Sequence, residues 1–221
     1  MTTVYLVRHG RTPANEKGIL AGRTKGVDLD DLGVKQAQAL GTTLESIDFK
    51  KILVSPMERC QQTARILNQF SKFPKKPSIN SGINECDYGD WSNKKLSSLR
   101  KKSLWKTVQE KPSLVEFPNG EKMSSMLDRV KTTILENALE LKSEDNMLVV
   151  SHGDPIRSFI ADCLGIHLDN FQRIIVDPCS VSIVKIFENN IQVISVNNRV
   201  QIIGEVKRKR TTRSVLGGGA G

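Results

Sequence analysis

Two short apolar runs, far apart in the chain, each lead into a histidine followed by a glycine. Residues 4–7 precede Arg8-His9-Gly10, and residues 147–150 precede Ser151-His152-Gly153. Both runs are too short for a helix and rich in branched residues, which indicates buried strands. Ligands of an open α/β sheet sit beyond the carboxyl ends of its parallel strands. We therefore expect His9 and His152 to face each other across one small site.

The rest of the chain predicts alternating helices and strands. Asp30 is a plausible N-cap for a helix that reaches Leu44, and a second helix begins near Glu58. Further helices are predicted over 93–111, from 121 to about 141 and over 155–164, with strands over 51–55, 78–80, 172–176, 181–187 and 191–203 and a loop over 11–29. This order predicts an α/β fold with a mainly parallel sheet, covered by helices, and a late antiparallel strand.

Composition indicates one globular domain and a tail. A chain of 221 residues can form one ample core, assigned here to residues 1–206, with a basic, glycine-rich tail over 207–221. No apolar run approaches the roughly 18 residues of a membrane span, and no signal segment is visible, so no membrane association is expected. The four cysteines lack paired spacing, which favours reduced thiols in the cytoplasm over disulfides or a zinc site.

The net charge of +9 is concentrated in the tail. Five positive charges lie within residues 207–213, which leaves +4 for residues 1–206. A mildly basic domain suits an anionic substrate. The tail could bind a nucleic-acid backbone, but a run of five charges is more often only solvated, so no nucleic-acid partner is expected. Composition leaves a homodimer open.

The chemistry-bearing residues converge on phosphate chemistry. Arg8 and Arg59 offer forked donors that match phosphate oxygens, and Arg59 falls in the first turn of a predicted helix. The two histidines are candidates for a nucleophile and a charge stabiliser, and Glu85 for a proton donor. Phosphoryl transfer needs mostly positioning and charge neutralisation, which this set supplies with no metal and no cofactor.

Other phosphate chemistries fit the spacing less well. The chain has no Gly-x-x-x-x-Gly-Lys-Ser/Thr loop. Cys60 and Arg65 are one residue too close for a cysteine phosphatase loop, and Asp28-Leu29-Asp30 has no strand before it. Metal hydrolysis would require more carboxylates near the histidines. Histidine chemistry is the alternative that the spacing favours.

An ordered set of motifs resembles the histidine phosphatase superfamily, in its phosphoglycerate mutase-like branch. The set spans about residues 3–187 and comprises Arg8-His9-Gly10, Asn15, Gly22, the run Ser55-Pro56-x-x-Arg59-x-x-x-Thr63-Ala64, Glu85 with Tyr88-Gly89-Asp90-Trp91, and Ser151-His152-Gly153. The resemblance implies a three-layer α/β/α sandwich and a phosphohistidine intermediate. It implies that His9 is the nucleophile, that Arg8, Arg59 and His152 form the phosphate pocket, and that Glu85 is the proton donor. It implies further phosphate contacts from Asn15, Gly22 and Gly153.

Departures from the family pattern affect the expected substrate. Cys86 stands where glycolytic mutases have an arginine, Gly22 is followed by Arg23-Thr24, and Trp91-Ser92-Asn93 replaces Trp-Glu-Gly. These differences favour a phosphomonoesterase acting on a small phosphorylated metabolite. A phosphomutase using the same phosphohistidine is the alternative, and a catalytically idle binding module is a third hypothesis. Residues 86–125, the expected lid, should distinguish phosphatase from mutase.

Several residues have simpler interpretations. His167 is expected to be structural or exposed, and Asp87 is a weaker candidate for the proton donor than Glu85. Tyr88 and Trp91 are expected to pack. The basic residues between Lys94 and Lys102 are expected to form a solvated helix face, with binding of a second acidic group on the substrate as the alternative.

Overall fold

The structure is a computed structural model that describes residues 1–71, 73 and 76–200. The predicted tail over 207–221 and its boundary at residue 206 lie outside the described residues. The strands are β1 (Thr2–Arg8), β2 (Ile19–Leu20), β3 (Phe49–Val54), β4 (Ser78–Ile79), β5 (Lys94–Lys95), β6 (Asn146–Ser151), β7 (Val181–Ile186) and β8 (Ile191–Asn198). The α-helices are α1 (Pro13–Glu16), α2 (Asp31–Thr43), α3 (Glu58–Ser71), α4 (Leu96–Leu99), α5 (Leu104–Glu110), α6 (Met123–Leu139) and α7 (Gly153–Cys163).

Six of these strands form one mixed sheet in the order β4-β3-β6-β1-β7-β8. The pairs β3–β4, β3–β6 and β1–β6 are parallel, whereas β7 is antiparallel to both β1 and β8. The mainly parallel sheet with a late antiparallel strand is therefore confirmed. The register places Arg8 opposite Ser151, so the ends of β1 and β6 lie side by side at the centre of the sheet.

Alternating side chains of the central strands divide the interior into two cores. Val4 and Leu6 of β1 pack, with Met147 and Val149 of β6, in a large core that includes the buried faces of α6 and α7. Val7, Leu148 and Val150 point the other way and pack against α2 and α3. Because neighbouring residues of a strand face opposite sides of the sheet, this pattern produces the three-layer α/β/α sandwich.

Residues 93–111, which belong to the expected lid, do not form the single predicted helix. Lys94 and Lys95 pair with β2 as a two-stranded ribbon, and the helical part is split into α4 and α5. Trp105, in the first turn of α5, stacks on Trp91 with ring centroids 6.2 Å apart, and Trp91 also meets Phe117 edge-on. Packing of these aromatic rings overrides the helical propensity of the continuous segment.

Two further local predictions are wrong. The predicted loop over 11–29 contains α1 and β2, because Thr12 and Asn15 form a capping box around Pro13 at the first helical position. The predicted strand over 172–176 does not form. A 3-10 helix covers Leu168–Arg173, with Phe171 buried and the Gln172 amide donating to the Val108 carbonyl at 2.9 Å. Ile174 and Val176 are buried and Ile175 is exposed, although no strand forms there.

Within the described part of the chain, no helix has the length and apolar character needed to cross a membrane.

Candidate active site

The two histidines lie at the carboxyl ends of adjacent parallel strands. His9 follows β1 and its backbone N–H donates to the Ser151 carbonyl at 3.0 Å, while His152 follows β6 and is the N-cap of α7. The imidazole centroids are 5.3 Å apart and the rings meet edge-on at 64°. Both side chains are buried. His9 and His152 therefore face each other across one site, as predicted from the sequence.

His9 is held with one nitrogen against the backbone and the other toward the site. Its Nδ1 lies 2.7 Å from the Gly10 carbonyl oxygen, which can only accept, so Nδ1 carries the proton. Nε2 accepts from Arg59 Nε at 3.3 Å. Burial, followed by the charges of Arg59 and Arg8, lowers the pKa of His9 well below its usual value. The imidazole is therefore neutral near pH 7, with an unshared electron pair on Nε2.

Arg59, in the first turn of α3, connects the two histidines. Its Nη2 donates to the Gly22 carbonyl at 2.7 Å and lies 3.1 Å from His152 Nδ1. Its Nη1 is buried and finds no hydrogen-bond partner among the described residues. A buried guanidinium nitrogen without an acceptor is unfavourable, so an anion between the histidines would satisfy it.

Arg8 supplies a second buried guanidinium. Its Nη1 donates to the Val176 carbonyl at 2.7 Å, which restrains the side chain. Burial, together with the positive charge of Arg157, lowers the pKa of Arg8 to about 10. Arg8 therefore stays charged at neutral pH and adds to the positive potential around His9.

Glu85 brings a carboxyl group to the same site. Its Oε1 accepts from the Cys86 backbone N–H at 3.0 Å, and its Oε2 lies 4.0 Å from His152 Nδ1. Burial, followed by the negative charge of Asp154, raises the pKa of Glu85 to about 7, against the opposing effect of Arg59. A carboxyl that exchanges its proton near neutral pH is suited to acid and base steps.

Asp154, whose charge raises the pKa of Glu85, belongs to a buried network outside the predicted site residues. Asp154, in the first turn of α7, accepts a hydrogen bond from the Tyr88 hydroxyl at 2.5 Å and is paired with Arg157. The Arg157 guanidinium lies over the Phe171 ring at 5.4 Å from its centroid. The sequence predicts only a packing role for Tyr88 and none for Asp154, because a single acid after His-Gly carries no pattern.

Two arginines hold the backbone of Glu85. Its carbonyl accepts from Arg23 Nε at 2.9 Å and from Arg129 Nη2 at 3.0 Å. Arg129 Nη1 also donates to the carbonyls of Gly82 and Asn84, both at 2.9 Å. Glu121 joins the two guanidinium groups, accepting from Arg23 at 3.0 Å and from Arg129 at 2.6 Å. No sequence pattern indicates these contacts, since Arg23, Glu121 and Arg129 are not linked by any motif.

Asn15, Gly22 and Gly153, the weaker candidates for phosphate contacts, differ in which polar groups are already bonded. The Asn15 side-chain oxygen accepts from the Thr12 backbone and hydroxyl, at 3.1 and 2.9 Å, so only the amide nitrogen is left to face a ligand. The Gly22 carbonyl is bound to Arg59, and its φ of +53° places it in a conformation that favours glycine. Gly153 begins α7, so its N–H is one of the first of that helix.

Asp87 and His167, the candidates less favoured from the sequence, are bound to other residues. Asp87 pairs with Arg23 at 3.4 Å and accepts from the Gly89 N–H at 3.1 Å. The largely exposed His167 contacts Asp169 at 3.2 Å. The Cys86 thiol is buried, 3.7 Å from the Met123 sulfur. No group of three or more histidine, cysteine or acidic side chains suited to a metal occurs among residues 1–71, 73 and 76–200.

The arrangement combines an uncharged imidazole that carries an unshared pair, two buried guanidinium groups and a carboxyl with a raised pKa. Arg59 Nε lies 3.3 Å from His9 Nε2, so a phosphoryl group placed between the imidazoles would be near both groups. Such a site can accept a phosphoryl group on nitrogen and neutralise its oxygens.

Comparison with known proteins identifies the family. The model of the histidine phosphatase superfamily (branch 1) matches residues 4–199. Phosphoserine phosphatase 1 of Hydrogenobacter thermophilus is 29% identical over 202 residues, which cover 89% of this chain and 92% of the relative. The broad-specificity phosphatase YOR283W of Saccharomyces cerevisiae is 32% identical over 197 residues, covering 86% and 82%. The α-ribazole phosphatase structure from Shigella flexneri matches with a TM-score of 0.77 and 28% identity, covering 89% and 96%.

The chain belongs to the histidine phosphatase superfamily. Enzymes of this superfamily work through a phosphohistidine, and phosphatases are prominent among the relatives. The chain is therefore a phosphoryl-transfer enzyme in which hydrolysis is favoured over isomerisation.

The position of Asp154 predicts the direction in which the Glu85 pKa can be moved. Replacing Asp154 with asparagine removes a negative charge that favours the protonated acid, so the Asp154→Asn substitution should lower the Glu85 pKa from about 7. A ¹³C NMR titration of glutamate-labelled protein measures this. Asp90→Asn, an exposed change a few residues after Glu85, should leave the Glu85 pKa unchanged. An equal pKa in all three proteins would contradict the assignment.

Proposed function

We propose that the protein is a phosphomonoesterase in which neutral His9 attacks the phosphorus of a small phosphorylated metabolite. The single observation that supports this most is the orientation of the His9 ring. Its Nδ1 is bound to the Gly10 carbonyl, which leaves an unshared pair on Nε2, the atom that faces Arg59. Arg8, Arg59 and His152 hold the phosphoryl oxygens. As the P–N bond forms and the ester P–O bond breaks, Arg59 moves its donors from His9 to those oxygens.

Glu85 completes both halves of the cycle. In the first, its carboxyl gives a proton to the leaving oxygen, which departs as an alcohol. In the second, the carboxylate takes a proton from the water that attacks phosphohistidine, and His9 and inorganic phosphate are released. A pKa of about 7 lets one group perform both steps near neutral pH. This cycle uses only side chains of the chain itself.

Backbone and amide groups add contacts to the phosphoryl group in this proposal. Asn15 lies in α1, Gly22 follows β2, and Gly153 is the first residue of α7. The N–H of Gly153 is favoured by the positive end of α7, an 11-residue helix.

The residue after Glu85 favours hydrolysis over isomerisation in this proposal. Cys86 replaces the arginine of glycolytic mutases, and its thiol packs against Met123, so it offers the substrate no charge. Relatives named for phosphoserine and for broad specificity support a small phosphomonoester as the substrate class. Four free thiols, three of them buried, support action in the cytoplasm. The proposed substrate is the only partner required, with a homodimer left open and no role assigned to nucleic acid.

Replacing the nucleophile should abolish the reaction. His9→Ala should lower kcat by at least about 10³-fold, because binding and electrostatics alone remain. It should also abolish labelling by a radioactive phosphoryl donor, trapped under alkaline conditions where phosphohistidine persists. His167→Ala, an exposed histidine change, should retain both properties. Near-normal turnover by the His9 variant would reject the proposal.

The acid role of Glu85 predicts a dependence on the leaving group. Glu85→Gln should slow hydrolysis of an alkyl phosphate such as phosphoserine much more than that of p-nitrophenyl phosphate, since nitrophenolate hardly needs the proton. It should also remove a fall of kcat/KM that we expect as the pH rises above about 7, where Glu85 loses its proton. Asp87→Asn is the matched variant. If it shows the leaving-group effect and the Glu85 variant does not, the donor is Asp87.

The products distinguish a phosphatase from a phosphomutase. Purified protein incubated with 3-phosphoglycerate or phosphoserine should release inorganic phosphate, with isomerised phosphoglycerate a minor product. Phosphate release is measured colorimetrically and the isomers by ³¹P NMR. Isomerisation faster than phosphate release would favour the mutase alternative.

A further inference from the structure

Two guanidinium groups converge on one backbone carbonyl, that of Glu85, the proposed proton donor. Arg23 Nε donates to this oxygen at 2.9 Å and Arg129 Nη2 at 3.0 Å. The arginine side chains are 33% and 22% exposed, so water screens their charges incompletely. Two positive charges held this close repel each other. The arrangement therefore requires a negative charge beside both arginines.

The carboxylate of Glu121 supplies that charge. Its Oε1 accepts from Arg23 Nη2 at 3.0 Å and from Arg129 Nη2 at 2.6 Å, and its Oε2 accepts from Arg129 Nε at 3.1 Å. Burial alone would raise the pKa of Glu121, but the hydrogen bond and the charge of Arg129 prevail and hold this pKa below its usual value. Glu121 is therefore a carboxylate at neutral pH.

Glu121 also binds the backbone on the other side of Glu85. Its Oε1 accepts from the Asp87 backbone N–H at 2.8 Å, and its own N–H donates to the Asp87 carbonyl at 2.9 Å. The chain around Glu85 is thus held at two points, the Glu85 carbonyl and the Asp87 N–H. Glu121 takes part in both, directly at Asp87 and through the two arginines at Glu85.

Arg23 connects this network to the phosphate-binding side of the site. It directly follows Gly22, whose carbonyl accepts from Arg59 Nη2 at 2.7 Å. Of two consecutive residues, one therefore binds the guanidinium proposed to hold the phosphoryl group and the other binds the backbone of Glu85. That backbone is tied to the phosphate side through Arg23 and to α6 through Arg129.

We propose that Glu121 is a positioning residue, which holds the Glu85 carboxyl beside the leaving oxygen by neutralising Arg23 and Arg129. The proposal rests on the proposed acid role of Glu85. Glu121 acts through the backbone, because its bonds go to the two arginines and to Asp87. Without its charge the two guanidinium groups repel each other at the Glu85 carbonyl, so one of them withdraws and the acid loses its fixed position. A misplacement of about 1 Å can cost roughly 100-fold in rate.

Glu121→Gln tests the proposal, because it keeps the size of the side chain and removes its charge. The readout is kcat/KM for phosphoserine divided by kcat/KM for p-nitrophenyl phosphate, since kcat/KM reports the half-reaction in which the leaving group departs. This ratio should fall by about 10- to 100-fold, because only the alkyl leaving group needs a proton from Glu85. Glu116→Gln, an exposed change of a residue 3.7 Å from Lys122, should leave the ratio unchanged. The ratio does not depend on the fraction of protein that is folded, so a purely structural defect would not alter it.

Two further variants test the charge of Glu121 and its dependence on Glu85. Glu121→Asp keeps the negative charge and should lower the ratio less than Glu121→Gln does. In a Glu85→Gln background the acid is absent, so adding Glu121→Gln should lower the ratio no further.

Three results would overturn the proposal. They are equal losses for the two substrates in Glu121→Gln, a greater loss of the ratio in Glu121→Asp than in Glu121→Gln, and a further fall of the ratio in the Glu85→Gln background. A Glu85→Gln enzyme without a leaving-group effect would reject the acid role itself, and this proposal with it. That result comes from a variant in which Glu121 is intact, so the two failures are distinguishable.

Discussion

The site depends on one buried guanidinium placed between two uncharged imidazoles. Arg59 contacts His9 at 3.3 Å and His152 at 3.1 Å, and its charge helps to keep both rings neutral. Without that charge, burial would still disfavour imidazolium, but the Nε2 atom of His9 would lose the donor that it is bound to. The same guanidinium binds the Gly22 carbonyl, so the loop after β2 is tied to the catalytic centre through one side chain.

The pKa of Glu85 depends on a different balance of charges. Glu85 lies near Arg8 and Arg59, both of which would favour a carboxylate in the absence of burial. Burial and the paired Asp154 act in the opposite direction and prevail, which leaves the pKa of Glu85 at about 7. Such a pKa suits the two roles proposed for Glu85, because a group that acts first as an acid and then as a base works best with a pKa near the working pH. Asp154 can exert this effect inside the protein because Arg157 and Tyr88 stabilise its own charge.

Much of the fold could be predicted because the central strands carry a clear pattern. Their length, branched residues and terminal His-Gly pairs define β1 and β6, and Asp30 marks the start of α2 as expected. Predictions failed where tertiary contacts decide the local structure, as in the lid around Trp91 and Trp105 and in the turn around Phe171. The positions of His9 and His152 followed from the strands. The contacts of Arg23, Arg129 and Asp154 could not be predicted, because polar contacts between residues far apart in the sequence leave no periodic pattern.

The anchoring of residues 81–85 by Arg129 has an evolutionary consequence. Arg129 lies in the middle of α6, outside the lid, and binds three carbonyls of that segment within 3.0 Å. The backbone position of Glu85 is thus held by a side chain of α6. We therefore expect the segments between Trp91 and Phe117 to tolerate changes in length or composition with Glu85 still in place. Changes confined to those segments would alter the surface that covers the site and leave Arg129 and the carbonyls that it binds unchanged, so that substrate preference could vary while the phosphoryl chemistry is kept.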